Sequence, residues 1–466
     1  MLAGPDLAPL RLVLLVAIAV AAVVVSRWIS RRAGWGPAGP LALIAATPLV
    51  PSLPIGYGLS TDDVLPAIGV VLGLMVVDWR SAGRAGWPRL LLVGAALMAA
   101  AGLIASVANA DGAQQAVVMA LKSTGQLVFL ALIGVAVVLS LPAERRHLFV
   151  AWAVAAVATA EALFGLVAWL VPLPWAVGLE ASRQMTSLLG RVPGRVAGTT
   201  GLSPNFLGAL FVLSLPLTAA LALRATDRRQ RLALWAALGV QLVALALTFT
   251  RTSLVIGIAI LVVLLLMRGH GRVLLVLGAL VLVVALATPL GARMLGDAND
   301  RAALWSGATR MMIDHPLTGV GPGRMLIEAA ENPDRYRHTD FGEATNNAHN
   351  TILLAGAETG VMGAIGSLLV NVSVAASAIA ALLAGARRRR LMAHPQGFGT
   401  SDLVAAAALG VLGFLVQGMT NNLFAVRVTS VGAMLVYAAF LVPPGIRLAA
   451  ALRAAMAGRT EGTTAR

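Results

Sequence analysis

Long apolar runs constrain the fold of this chain more than any other feature of its sequence. Of its 466 residues, 59% are hydrophobic and 12% are charged, whereas soluble domains carry about 25% charged residues. Many of the runs reach the roughly 18 to 20 apolar residues that an α-helix needs to cross a bilayer. We therefore predict an all-α polytopic membrane protein in which residues 1–466 form a single membrane domain.

The runs predict about 12 to 13 transmembrane helices. The first run could be a signal peptide, but it lacks a convincing basic region before it and arginines follow it, so we predict a retained helix. The second run is the least regular, because Pro48, Pro51 and Pro54 break it. The runs lie near residues 12–25, 39–57, 63–78, 90–108, 116–140, 149–171, 204–223, 232–249, 253–267, 273–290, 350–384, 402–420 and 428–443.

The arginines predict the orientation of these helices. If the N-terminus lies outside, 22 of the 34 arginines fall in the inner loops and the C-terminal tail. The positive-inside rule then places the basic tail, residues 445–466, in the cytoplasm. The same orientation places the long polar stretch 291–348 outside. A polar loop of that length is rarely a mere connector, so we expect it to carry part of the function.

Composition excludes several classes of site. The chain has no cysteine, which excludes disulfides, thiol catalysis and cysteine-ligated zinc or iron–sulfur sites. The net charge is +15, but the arginines are scattered at helix ends, so we predict membrane lipids and no nucleic acid as partners. The outer loops contain no DxD motif, HExxH motif or close histidine pair. We therefore predict no metal and no cofactor.

His349 is the candidate general base. It lies where the run AHNTILLAGAETGVMG enters the membrane, and an unperturbed imidazole titrates close enough to neutral pH to accept a proton. Taken alone, a histidine at a helix start is more often a capping or interfacial residue, but the residues that follow it favour a functional role. Asn350 follows it, and Glu358 lies about two and a half turns into the apolar helix, where a carboxylate is unfavourable unless it is paired or functional. We predict that Asn350 and Glu358 bind substrate, although Glu358 could instead pair with an arginine.

Three arginines precede His349 in polar motifs. Arg301 opens RAALWSGATRMMIDHPLTGVGPGRM, Arg251 lies in TFTRTS between two apolar runs, and Arg195 lies in RVAGTTGLSPN before another helix. Several guanidinium groups that converge on one outer cavity would suit a diphosphate, because each can hold two oxygens. Any single arginine could instead be an ion-pair partner for the loop carboxylates.

Four motifs together resemble the O-antigen ligase and polymerase superfamily of bacterial envelope glycosyltransferases. One departure is Thr250, where a serine would be expected directly before the arginine. The motifs are RVAGTTGLSPNFLG at 195–208, TFTRTSLV at 248–255, RAALWSGATRMMIDHPLTGVGPGRM at 301–325 and AHNTILLAGAETGVMGAIG at 348–366.

The resemblance implies a GT-C-like multi-pass protein of the bacterial inner (plasma) membrane, with 291–348 as a large periplasmic loop region. It implies a metal-independent, inverting transfer of a glycan from undecaprenyl diphosphate at the periplasmic face. By match to the family's motifs, His349 would deprotonate the acceptor hydroxyl. Arg301 and Arg251 would hold the diphosphate, with Arg195 as a third contact.

Two alternatives remain open. The acceptor could be lipid A–core, as for a ligase, or a growing glycan, as for a polymerase, and no acceptor signature separates the two. A transporter or flippase of a lipid-linked glycan or a small anion is the alternative class. A transporter should concentrate polar residues near mid-membrane, and Lys122, Glu161 and Gln241 could line such a path or make helix contacts. Most polar residues lie in the outer loops instead, which favours the enzyme.

Overall fold

The computed structural model describes most of the membrane helices and part of the long polar loop. Almost all regular structure in the described residues is helical, which confirms the all-α polytopic class. A short antiparallel hairpin, β1 (Pro54–Gly56) with β2 (Leu59–Ser60), is an exception. The described residues are 8–49, 54–56, 59–85, 87–120, 123, 131–170, 195–198, 204–266, 299–336, 348–391, 400–420, 427–448 and 450–451.

The helices fall into two halves of the chain. The N-terminal half contains α1 (Ala8–Ala33), α2 (Ala38–Ala45), α3 (Thr61–Val76), α4 (Trp79–Ala85), α5 (Arg89–Ala108), α6 (Ala113–Ala120), α7 (Ala131–Ser140) and α8 (Ala143–Leu170). The C-terminal half contains α9 (Pro204–Arg224), α10 (Arg228–Leu247), α11 (Arg251–Leu266), α12 (Asn299–Asp314), α13 (Met325–Glu331), α14 (Pro333–Tyr336), α15 (Thr351–Leu391), α16 (Thr400–Gly418) and α17 (Arg427–Val436).

Within the described segments, six helices are long and apolar enough to cross a membrane. These are Arg89–Ala108, Arg145–Leu170, Pro204–Arg224, Arg228–Leu247, Thr351–Arg387 and Ser401–Gly418. Shorter apolar helices cover Ala67–Val76, Arg251–Leu264 and Gly432–Leu448. The apolar run 273–290 and much of 116–140 lie outside the described residues, so the number of 12 to 13 helices stays a prediction.

The run 39–57 does not form one long helix. Helix α2 ends at Ala45, a 3₁₀ turn follows over Thr47–Leu49, and the β hairpin begins at Pro54. The prolines explain this difference from the expected span. Proline lacks a backbone N–H and disfavours helical geometry in the residue before it, so the closely spaced Pro48, Pro51 and Pro54 favour a break over one continuous helix.

Helix α9 forms the centre of the bundle. Its sequence PNFLGALFVLSLPLTAALALR is apolar on every side, which predicts a helix enclosed by others. Nearly all of its residues from Leu207 to Ala222 are buried. It packs against α8, α10, α11 and α16. Because α9 and α16 are antiparallel, the start of α9 lies beside the end of α16, where the Gln417 side chain donates to the Asn205 carbonyl at 3.1 Å.

Helices α5 and α15 make a close crossing through two glycines. A Cβ atom added to Gly94 would lie 2.8 Å from the Gly366 carbonyl oxygen, and one added to Gly366 would lie 2.8 Å from the Gly94 oxygen. Such small residues allow membrane helices to approach closely. The crossing aligns the end of α5 with the start of α15, next to the polar loop.

Candidate functional site

Three helices begin around the end of α16. The Gln417 Nε2 atom of α16 donates to the Asn205 carbonyl at the start of α9 and, at 2.6 Å, to Ser253 Oγ in the first turn of α11. At the start of α15, Thr351 Oγ1 donates to the Gly418 carbonyl at 3.0 Å. Helix N-termini carry partial positive charge and free N–H groups. This end of the bundle is therefore suited to an anion.

Arg195 is fixed at this end by contacts with two other segments. Its Nε donates to the Thr248 carbonyl at 2.7 Å, and its Nη2 donates to Asn205 Oδ1 and to Thr250 Oγ1, each at 2.8 Å. The next residue, Val196, donates its N–H to the Leu247 carbonyl at 3.0 Å. The guanidinium therefore joins the segment before α9 to the turn between α10 and α11.

Arg251 lies beside this contact, as the first residue of α11. Its side chain is half-buried, and Thr250 directly precedes it. The Thr250 hydroxyl also lies 3.1 Å from the Pro204 carbonyl, so the hydroxyl that replaces the expected serine links the starts of α9 and α11. The structure thus brings Arg195 and Arg251 to the same end of the bundle, as the sequence motifs suggested.

His349 lies two residues before α15 in an unusual backbone conformation. Its φ angle is 46°, in the left-handed region, and Phe249, two residues before α11, has φ 47°. Non-glycine residues in this region carry backbone strain on the order of 1 to 3 kcal/mol and tend to cluster at functional sites. The His349 side chain is half-buried. Two strained turns therefore flank the helix starts where the predicted base and Arg251 lie.

Asn350 caps α15. Its Oδ1 accepts from the N–H groups of Ile352 and Leu353 at 3.0 and 3.1 Å, as an N-cap residue does. Its Nδ2 donates to the Met419 carbonyl at 3.1 Å, just after α16. The amide therefore fixes the backbone on which His349 sits. The binding of substrate by Asn350 stays a prediction.

Helix α12, which carries Arg301, packs against the start of α15. Ala308 and Met311 share a buried apolar cluster with Ala348 and Leu354. Arg301 lies about two turns before Ala308, which is roughly 10 Å along the helix axis. The course of the Arg301 side chain lies outside what the structure describes, so its contact with a ligand stays a prediction.

Glu358 binds the loop that follows α12. The backbone N–H groups of Gly323 and Met325 hydrogen-bond to its carboxylate. They lie at the start of α13, where Arg324 provides no side-chain cap, so Glu358 caps α13 from another helix. These contacts are to backbone groups rather than to the arginine that the sequence suggested as a partner. A role in substrate binding stays a prediction.

The same loop provides hydrogen-bond partners for the backbone at a break in α15. Gly360 has φ 75° and ψ −174°, which interrupts the helix. Val361 N–H donates to the Pro316 carbonyl at 2.8 Å, while the Ala357 carbonyl accepts from Val320 N–H at 2.9 Å. Within a membrane, non-helical backbone is tolerated where protein groups satisfy it. The loop is thus bonded to the interrupted helix a few turns from His349.

Asn109, just past the end of α5, holds the loop from its other side. Its Nδ2 lies 3.4 Å from the Gly319 carbonyl, and its own carbonyl accepts from Arg324 Nη1 at 2.9 Å. Arg324 also approaches Asp111 at 3.9 Å. This arginine, which the sequence motif contained without an assigned role, therefore joins the loop to the end of α5.

An ion pair joins the segment after α12 to the end of that helix. Arg335 binds Asp314 through two hydrogen bonds of 2.6 and 2.8 Å, and the Tyr336 hydroxyl donates to the same carboxylate at 2.8 Å. The Arg335 and Tyr336 hydrogen bonds lower the pKa of Asp314. Burial, followed by the contact with Asp314, raises the pKa of Tyr336 to about 12. The side chains therefore hold α14 against α12.

Sequence reasoning missed the role of Gln417, which connects the starts of α9 and α11. It lies within the apolar run 402–420 and in none of the motifs. A polar amide within an apolar membrane run was the available signal. Asn205 lay within a quoted motif but received no role.

Gln241, one of the polar residues considered for a transport path, makes contacts between helices. Gln241 is fully buried, accepts from Ser214 Oγ and donates to Thr159 Oγ1, both at 2.9 Å. These bonds join α8, α9 and α10. Lys122, the other residue considered for a transport path alongside Glu161, lies outside the described residues. In the part of the chain that the structure describes, no group of three acidic or histidine side chains is placed to hold a metal ion.

Comparison with known proteins agrees with the motifs. No curated protein matches the chain. The family model described as O-antigen ligase matches residues 236–368, a region that contains Arg251, Arg301, His349 and Glu358 but leaves Arg195 outside. The match supports ligase- or polymerase-type glycosyltransferase activity. The match over residues 236–368 confirms the resemblance of the chain to the O-antigen ligase and polymerase superfamily.

Proposed function

We propose that this protein is an inverting glycosyltransferase of the bacterial inner membrane. It moves a glycan from undecaprenyl diphosphate to an acceptor hydroxyl at the periplasmic face. The family match supports this class of transfer. The observation that carries the proposal is the meeting of the starts of α9, α11 and α15 at one end of the bundle, beside Arg195, Arg251 and His349.

The donor binds through its diphosphate. Arg195 and Arg251 lie at helix starts, where the helix dipoles add to their charge. Arg301, on α12, supplies a third guanidinium. Arginine forks bind phosphate oxygens through paired, charge-assisted hydrogen bonds, which are stronger than neutral ones. Arg251 and Arg301 therefore hold the pyrophosphate through their forks, while Arg195, whose Nε and Nη2 already donate to protein groups, stabilises the developing charge as a third contact.

His349 acts as the general base. The acceptor oxygen attacks the anomeric carbon of the donor sugar while its proton moves to the imidazole. The bond between that carbon and the diphosphate oxygen breaks, and undecaprenyl diphosphate leaves with the electron pair. Attack opposite the leaving group inverts the anomeric centre. The arginines offset the leaving-group charge, so we propose transfer without a metal ion.

The proposed topology follows from the arginine distribution. Residues 1–466 form one membrane domain, 291–348 face the periplasm and 445–466 form a basic cytoplasmic tail. In this arrangement the starts of α9, α11 and α15 open towards the periplasm, where the lipid-linked donor is presented. The acceptor is lipid A–core for a ligase or a growing glycan for a polymerase.

A deletion strain tests the function and separates its two forms. Loss of capped lipid A–core, with polymer still on undecaprenyl diphosphate, identifies a ligase. Single repeats in place of long chains identify a polymerase. Unchanged surface glycan and unchanged lipid-linked intermediates, in a strain without a second copy of the gene, would contradict the proposal.

A further inference from the structure

The opposite end of the bundle holds a second cationic position. Helix α8 begins with Ala143 and Glu144, after which come three consecutive basic residues, Arg145, Arg146 and His147, and its membrane-spanning segment starts at Arg145. Gly165, later in α8, packs against the carbonyl of Ala197, two residues after Arg195. Arg146 lies about 28 Å from Gly165 along the helix axis. Because that distance is about the thickness of the hydrocarbon core, Arg146 lies at the other membrane boundary.

Arg146 is enclosed by protein without a visible counter-charge. Only 8% of the residue is exposed, and its Nε has no hydrogen-bond partner among the described residues. The salt bridges found within the described segments do not involve it. A guanidinium cannot lose its proton in a protein, and an enclosed charge is unfavourable unless an anion offsets it.

Among the described side chains, those next to Arg146 in the chain do not supply that anion. Arg145 is exposed and stacks over Trp35, with 5.5 Å from its guanidinium carbon to the ring centroid. The His147 ring stacks on Phe440 at 4.7 Å between ring centroids. Its Nδ1 is enclosed and, within the described residues, also lacks a hydrogen-bond partner. The positive end of the α8 dipole adds to the same potential.

We propose that Arg146 binds a phosphate group at this membrane boundary. A guanidinium fork matches two phosphate oxygens, and a helix start favours the same ligand. The position is level with the lipid headgroups, so the phosphodiester of an anionic phospholipid lies at the same depth and is the ligand that we assign to it. A soluble phosphoryl compound offers the same chemistry. This site is separate from the transfer site, and its occupation does not depend on the proposed function.

The test uses the purified full-length protein in neutral detergent after removal of lipid. Dioleoylphosphatidylglycerol or inorganic phosphate is titrated while melting temperature and affinity are measured. We expect the lipid to stabilise the native protein, and Arg146→Gln to weaken its binding roughly ten- to a hundredfold, as for loss of a charge-assisted hydrogen bond. Arg229 is an exposed arginine in the first turn of α10 at the same membrane boundary. The control variant Arg229→Gln should therefore change the affinity for the lipid less than about twofold.

The direction in which the melting temperature of the variants changes separates lipid binding from an effect on stability alone. Without lipid, Arg146→Gln should melt at or above the temperature of the native protein, because it removes an uncompensated enclosed charge. With the lipid, it should melt below. Arg146→Lys, which keeps the charge but not the planar fork, should bind with intermediate affinity, and it provides the comparison if the glutamine variant fails to fold.

Each outcome decides the proposal. Arg146-dependent binding of the phospholipid alone assigns the site to a membrane lipid. Arg146-dependent binding of inorganic phosphate as well assigns it to phosphoryl groups in general, including soluble ones. Binding of neither ligand, or equal loss in the Arg146→Gln and Arg229→Gln variants, would overturn the assignment.

Discussion

The Thr250 hydroxyl accepts a hydrogen bond from Arg195 Nη2 at 2.8 Å, although 55 residues separate the two in the chain. This bond holds one guanidinium directly beside the start of α11, where Arg251 lies. Thr250 therefore makes this link at the position where the family motif predicts a serine. The bond ties together two motifs that the sequence presents as separate.

Loss of this hydroxyl should impair transfer. Thr250→Val keeps the shape of the side chain but removes the acceptor for Arg195, so we expect a roughly tenfold lower transfer rate. Thr250→Ser should restore most of it. Thr309→Val is the control, because the Thr309 hydroxyl bonds within its own helix, to the Trp305 carbonyl. Equal rates for Thr250→Val and Thr309→Val in a reconstituted assay would contradict the linking role.

Gln417 should matter for both stability and transfer. Gln417→Leu removes the hydrogen bonds to the Asn205 carbonyl and Ser253 Oγ, and an unsatisfied buried acceptor costs about 1 to 3 kcal/mol. We expect a lower melting temperature together with slower transfer. Val416→Leu, on the exposed neighbouring position, should leave both unchanged. Native-like melting and transfer in Gln417→Leu would remove this residue from the site.

Arg301 and Arg335 should respond differently to the same substitution. Arg301→Lys keeps the charge but loses the planar fork, so we expect a roughly ten- to hundredfold drop in transfer rate. Arg335→Lys alters an exposed pair with Asp314 and should affect transfer little. Measured rates that fall equally in both variants would show that the diphosphate contacts are assigned to the wrong arginines.

His349 should be required for transfer but not for donor binding. His349→Ala should leave a folded protein that binds undecaprenyl-diphosphate glycan, because the arginines hold the donor. Loss of a general base slows a reaction by about 10² to 10⁴. His349→Gln keeps hydrogen-bonding capacity without a titratable base, so it should be similarly slow. A well-folded glutamine variant with near-native turnover would show that His349 only anchors the helix start.

Asp314 should make the melting temperature of the protein depend on pH in the acidic range. Its folded-state pKa is lowered, first by the hydrogen bond from Arg335, so its contribution is present above the ordinary carboxyl value of about 3.9. That contribution is lost as pH falls through the lower folded-state pKa. We expect Asp314→Asn to melt below the native protein at pH 7 and the difference to shrink in acid. A difference that stays constant from pH 7 to 3 would contradict this.

The sequence by itself determined the class of fold and the motif residues. Apolar runs long enough to cross a bilayer must form helices there, because only internal hydrogen bonding satisfies the backbone in lipid. That requirement is local, so α9, α10 and the long α15 could be predicted from composition alone. The positions of Arg251, Arg301 and His349 could likewise be recognised from their motifs.

Only the tertiary structure decided which of these residues meet. The contact of Gln417 with Asn205 joins residues 212 positions apart, and no local pattern specifies it. The partner of Glu358 is the backbone of a loop bonded to the break at Gly360, whereas the sequence suggested an arginine. Such contacts depend on how helices pack and cross, as Gly94 and Gly366 do. Helix packing brings distant residues together through shape and close approach, which a one-dimensional pattern of polarity does not encode.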